Sequence, residues 1–155
     1  MSIQLRSETA IETVAQTLAP FLNKAKESVM VNEHDAIHFL QSMRDGFMRV
    51  GELASQAQYQ ASRTEAAIDR MEAHLRLEVF PEYASDRGML KPTEKDKEAF
   101  ILLQPEHQKL VDELSKWTAV CKYIDSVRSV LYTASDDVKK TLFAKSHYNN
   151  PSFKA

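Results

Sequence analysis

His34 and His38, in the stretch "HDAIH", stand four residues apart. On a helix that spacing sets two imidazoles on one face at metal-ligand distance. No glutamate follows the first histidine, so the zinc-protease signature is missing, and the Glu-x-x-His pairs of di-iron bundles are absent as well. The pair therefore reads as two polar residues in a first helical turn, with Asp35 as a cap, and no metal or other cofactor is expected. Cys121 has no sequence neighbour that would lower its pKa, and it falls on an apolar repeat, so a buried, inert thiol is expected. Aspartates and glutamates mostly lie three or four residues from a lysine or arginine, the pattern of solvated helical ion pairs. There is no phosphate-binding glycine loop, no G-x-S-x-G and no Cys-x-x-Cys. A non-enzymatic protein is expected.

Two basic clusters remain. Arg76, Arg87, Lys91, Lys95 and Lys97 lie between Arg76 and Phe100, interleaved with Phe80 and Tyr83. Lys139, Lys140, Lys145 and Lys154 follow Asp137, after which the sequence has no acidic residue. Cations that follow phosphates and aromatic faces that stack on bases are what single-stranded nucleic acid requires. The competing reading is a solvated polar loop and a basic helix end that complements the helix dipole. Glu78, Glu82, Asp86, Glu94, Asp96 and Glu98 bring the first cluster to about neutral, which favours that competing reading on the residues alone.

Composition sets the frame. The chain has 155 residues, net charge −2, three glycines, five prolines and one cysteine. That length is about one domain, and the shortage of glycine and proline suits helices. A net charge near zero provides no global attraction to polyanions, so any such binding must be local. A lone cysteine excludes an internal disulfide framework and suits a reducing cytoplasm. No apolar run reaches the length of a signal peptide or a membrane span.

The elements follow from periodicity. Ser7 is expected to cap a first helix whose stripe is Ile11, Val14, Leu18, Phe21/Leu22, Ala25 and Val29, kinked or split at Pro20. Asn32 or Asp35 restarts the chain. A proline-free stretch then carries Ile37, Leu40, Met43, Phe47, Val50, Ala54, Ala57, Ala61, Ile68, Met71 and Leu75 on one stripe. Gly46 and Gly51 weaken it by about 1 kcal/mol each relative to alanine. Pro81 is expected to stop this rod. Thr93 and Asp96 fit a capping box that starts a short helix, and Pro105 suits the first position of the next. There Leu110, Leu114, Trp117, Cys121, Ile124, Arg128, Leu131, Ser135, Val138 and Leu142 repeat at alternating spacings of four and three, a heptad seam interrupted by Arg128 and Ser135. Tyr123 and Tyr132 lie off it. The expected fold is all-α: an N-terminal helix over 1–32, a long antiparallel helical hairpin over 33–146 with a short helix in its connection, and a flexible tail over 147–155. The apolar seams exceed what two helices cover, so homo-oligomerisation through the residues of the last seam is expected alongside packing on the first helix.

Four stretches occur in order after the first long helical pattern: "RLEVF" at Arg76–Phe80, "DRG" at Asp86–Gly88, "PTEKDKEAF" at Pro92–Phe100 and "LQPEHQKL" at Leu103–Leu110. The long helix "VDELSKWTAVCKYIDSVRSVLYTASDDVKK" follows. Over about residues 63–146 this order resembles the UvsY family of tailed-phage recombination mediators. That family's pattern runs long helix, Arg-Leu with an acid and aromatics, Arg-Gly, a capped acidic helix, and a proline-started helix with a lysine-rich end. His74 stands where the pattern has a lysine, the Arg-Leu and Arg-Gly elements are further apart here, and residues 1–50 have no counterpart. The resemblance implies a ring-forming, single-stranded-DNA-binding accessory factor. It would help load a RecA-like recombinase on DNA covered by single-stranded-DNA-binding protein, in a host bacterial cytoplasm if phage-encoded. Arg76 and Arg87 match its basic positions; Lys91, Lys95 and Lys97 join by proximity, and Lys139, Lys140 and Lys145 form the lysine-rich helix end. The alternative is a helical protein-interaction or structural module, such as a phage assembly chaperone or host-factor inhibitor, without nucleic-acid binding.

Overall fold

The computed structural model describes residues 4–27 and 32–148. Val29 of the expected first stripe, Lys154 and nearly all of the expected tail lie outside these residues. Among the described residues every regular element is helical: α1 (Ala10–Lys26), α2 (Glu33–His74), a π turn (Leu75–Val79), α3 (Phe80–Asp86), α4 (Glu94–Leu102) and α5 (Pro105–Tyr148). The protein is all-α, and none of these helices is long and apolar enough to cross a membrane.

Local chemistry explains most boundaries, with three departures from the sequence reading. First, α1 begins at Ala10 after a turn, with Thr9 rather than Ser7 at its cap position. Second, of the two outcomes expected at Pro20, a kink or a split, the helix is not split: α1 is continuous through it. Pro20 is exposed, and so is Gln16, whose carbonyl would have accepted the missing N–H, so the lost bond falls on an exposed stretch of the helix. Third, Pro81 does not end helical structure but sits in the first turn of α3. The preceding π turn widens the ladder, with the Phe80 N–H donating to the Leu75 carbonyl, and a proline is tolerated where a first turn needs no N–H. The expected restarts are in place. Asn32 Oδ1 accepts from the Asp35 amide at 2.9 Å. Thr93 caps α4 by a complete capping box, and Pro105 opens α5. Gly88 closes α3 at φ 67°, with its own amide on Ser85 and that of Met89 on Ala84, the paired bonds of a left-handed helix stop.

The chain divides into two compact units. Unit 1 comprises residues 1–56 and 120–155, and unit 2 comprises residues 57–119.

In unit 1, α1 buries Val14 and Leu18; α2 buries Ala36, Phe39, Met43, Val50 and Leu53; α5 buries Val120, Ile124, Val127, Leu131 and Val138. Each fully buried Val, Leu, Ile, Phe or Met side chain contributes roughly 1.5–3 kcal/mol. The α2 and α5 segments run antiparallel here: Gly46 meets Leu131, while the earlier Ile37 shares a depression with the later Leu142. Gly46 is a packing position rather than a flaw. A Cβ there would lie 3.0 Å from Leu131 and 3.1 Å from Phe21, so its absence lets α1 and α5 close on α2.

The buried lines are turned from the expected ones. On α5, Val120 and Val127 take the deep positions, Arg128 is exposed and Cys121 is half-buried. Leu110, Leu114 and Leu142 are also half-buried, whereas Trp117, Ile124, Leu131, Ser135 and Val138 are buried as the seam implied. On α2, Ala36, Phe39 and Leu53 are buried and Ile37 is 47% exposed. Ile11 of α1 is exposed as well. An α-helix turns every 3.6 residues, so a 3.5-residue pattern drifts by about 20° per heptad, and a neighbouring position takes over. Buried Ser135 returns its hydroxyl to the Leu131 carbonyl at 2.8 Å, so it leaves no orphan donor in the core.

In unit 2 a cluster of Leu75, Phe80, Ala84, Phe100 and Ile101 packs α3, the π turn and α4 together, with Met71, Val79, Tyr83 and Met89 around it. Trp117 is 2% exposed. His107, near the start of α5, is buried and donates to Glu72 near the end of α2 at 2.8 Å.

Candidate functional site

The connection from the π turn through α4 holds the first basic cluster, and each cation there has a defined neighbour set. Arg76 lies on the π turn and reaches Glu94 across eighteen residues, at 3.2 Å. Lys97 reaches the other oxygen of Glu94 at 2.6 Å. One carboxylate thus answers two of the five cations. Lys97 beside it holds the Glu94 carboxyl below its ordinary value, by hydrogen bond and by charge, and Arg76 adds to the effect. Arg87, at the end of α3, lies over the Tyr83 ring, 4.8 Å from its centroid, in a cation–π contact. Lys91 and Lys95 are exposed and make no ion pair among the described residues.

The acids of the cluster are partly committed to folding. Asp96 accepts from the Thr93 amide and hydroxyl, both at 2.7 Å, and these bonds hold its carboxyl below the usual range. Glu78 meets His74 at 3.0 Å. The aromatic residues are committed too. Phe80 is 2% exposed and packs edge-on against Phe100, and Tyr83 lies 4.6 Å from the Phe100 centroid. Phe80 is therefore a core residue and not a stacking face. Alternating aromatic and basic residues look alike whether the rings point out or in, and the helical turn through Pro81 turned Phe80 inward. What the connection does expose is aliphatic: Leu77 (73%), Leu90 (97%), Leu102 (61%) and Leu103 (73%).

The second basic cluster lies in unit 1. Lys140 pairs with Asp136 at 2.6 Å, which raises its pKa by hydrogen bond and charge. Lys139 and Lys145 are exposed and line a groove beside α2. Tyr132 is 66% exposed, whereas Tyr123 is half-buried.

His34 and His38 place their Nε2 atoms 3.0 Å apart, rings edge to face, on the exposed start of α2. Among the described residues no three His, Cys, Asp or Glu side chains converge on one point. The Cys121 thiol is pushed up by burial and then by Asp125, which disfavours the reactive thiolate.

The sequence pointed to neither His107, Arg44 nor the exposed leucines as distinctive. His107 follows a helix-starting proline, which marks it as a first-turn residue, but nothing local marks it as buried. The fold defines the class as an all-α protein whose long α2 and α5 flank, in sequence, a mixed-charge and leucine-bearing connection. Comparison with protein-family models, curated proteins and solved structures returned no match.

Proposed function

We propose that the protein is a non-enzymatic recombination mediator. It would bind single-stranded DNA through the connection of unit 2 and help load a RecA-like recombinase on DNA covered by single-stranded-DNA-binding protein. The observation that carries this reading is the order of elements. Arg76-Leu77 lies on a π turn after a long helix, Arg87-Gly88 closes α3, Thr93 caps an acidic helix, and Pro105 starts the second long helix. That is the order the resemblance to the UvsY family implies. A subunit of net charge −2 grips a polyanion weakly. Homo-oligomerisation would multiply that grip, because linked sites bind with avidity.

The test is fluorescence anisotropy of a labelled oligonucleotide with the full chain. Binding is expected at ~50 mM salt, with log affinity falling linearly with log salt. Changing Arg87, Lys91 and Lys95 together to Glu is expected to weaken it by tenfold or more, on the order set by lost phosphate contacts. No anisotropy change at low salt sinks the reading.

A second reading has its own support. Leu77, Leu90, Leu102 and Leu103 are all exposed on the connection, while Arg76 and Lys97 already have an acid partner. Exposed apolar side chains suit a protein partner better than phosphates. On this reading the chain is a helical protein-interaction module that leaves oligonucleotides free and retains a protein partner in a pull-down.

A further inference from the structure

One flank of α2 and α5 in unit 1 carries a groove that no α1 residue lines. It consists of two depressions, about 710 and about 350 Å³, that share Lys139. Ile37, Leu142 and Phe143 contribute apolar surface to the larger, beside Lys139 and Lys145. Leu40, Phe47 and Met48 do so in the smaller, beside Arg44. Ile37 and Met48 are 47% and 62% exposed, so their apolar atoms meet solvent. From Ile37 to Met48 the groove follows about three helical turns, roughly 16 Å.

Its charge is one-sided. Arg44, Lys139 and Lys145 make no ion pair among the described residues. Among the described residues that line it, Glu33 is the one acid. Among these lining residues three cations therefore face one carboxylate around an apolar floor. Phe47 and Phe143 are its aromatic residues; the rest of the floor, Ile37, Leu40, Met48 and Leu142, gives little to a nucleic acid, which stacks its bases on flat aromatic faces beside its phosphates. A two-fold related second copy would set the same cation-rich surface against itself, and like charges across an interface are unfavourable. An amphipathic helix with acidic edges satisfies both features, apolar stripe on apolar floor and carboxylates on the rim cations.

We propose that this flank of unit 1 docks an amphipathic helix of a protein partner, apolar along one stripe and acidic at its edges. The site is separate from the nucleic-acid reading of unit 2 and does not rest on it.

The experiment uses the full chain and a fluorescein-labelled synthetic peptide of about fourteen residues, or four helical turns, with leucines on one stripe and glutamates on both flanks. Saturable binding is expected in anisotropy. Met48→Asp, and the pair Lys139→Glu with Lys145→Glu, are each expected to weaken it by about tenfold, as loss of an interface anchor does. These positions are exposed, and circular dichroism checks that the variants stay helical. A peptide of the same composition with its leucines dispersed, and one with lysines for glutamates, are expected to bind far more weakly. Arg87→Glu is expected to leave the peptide affinity unchanged. The proposal is overturned if the patterned peptide does not saturate, if either control peptide binds equally well, or if both groove variants bind like the parent. It is also overturned if an oligonucleotide displaces the peptide and loses affinity with the lysine pair, which would assign the groove to nucleic acid. A chain that sediments as a dimer and becomes a monomer with Met48→Asp would assign it to a second copy.

Discussion

On the connection of unit 2, Glu94 takes both Arg76 and Lys97, and Tyr83 takes Arg87; on the flank of unit 1, Arg44, Lys139 and Lys145 have no ion pair among the described residues. The sequence shows two basic clusters of similar density. The difference comes from where acids are needed for folding. A helix start attracts carboxylates, so α4 brings Glu94 and Asp96 into the first cluster, and these then meet the neighbouring cations. The end of a long helix attracts lysines instead, and after Asp137 the sequence supplies no further acid. A polyanion arriving at unit 2 must compete with Glu94 for two of the five cations, whereas an acidic partner at the unit 1 groove displaces nothing.

The largest expected effects ask whether the two units behave as separate cores. Leu131→Ala in unit 1 and Phe80→Ala in unit 2 each empty a nearly fully buried site and should cost about 3–5 kcal/mol. Hydrogen exchange is expected to show the greater loss of amide protection in the unit that carries each substitution. Equal loss in both units for both variants would break the division. Next in size, Glu94→Gln releases Arg76 and Lys97 while keeping shape. Oligonucleotide affinity is expected to rise by roughly threefold to tenfold at low salt, the scale of one or two surface charge interactions. If anisotropy titration shows no change, the ion pairs do not compete with DNA. Thr93→Ala removes the cap of α4 and should cost about 1 kcal/mol, read from chemical denaturation.

The smallest effect is with pH. The Asp96 and Glu94 carboxyls both titrate below their ordinary values. Their contribution is therefore complete above the ordinary carboxylate range and is lost as pH falls through the lowered values. Exchange of α4 amides, relative to those of α5, is expected to accelerate on acidification, and Asp96→Asn should remove most of that dependence. An unchanged ratio would show that the capping box contributes nothing measurable.

Much of the connection was legible residue by residue. Thr93 with Asp96, Pro105 and Asn32 act through partners within four positions, and the structure has each of them where those local rules put it. Pro81 obeyed a local rule as well, but the other one: a proline stops a helix interior yet suits a first turn. The choice between them fell to the cluster around Phe80 and Phe100, which rewards a helix that turns Phe80 inward. Of the candidate site, positions were legible and availability was not. Nothing near Arg76 in sequence shows that an acid eighteen residues away will hold it.

By itself the sequence determined that this protein is helical, where its long helices restart, and which chemistry it lacks signatures for. Those features depend on hydrogen bonds and sterics spanning one helical turn. Only the tertiary structure decided that Val120 and Val127 would be buried in place of Cys121 and Arg128, that Gly46 is a packing site, and that His107 is buried against Glu72. The physical reason is range. A 3.6-residue helix leaves two neighbouring apolar lines nearly equivalent, and the contact that chooses between them comes from residues tens of positions away. The same long-range contacts decided which cations are already answered and which still face solvent.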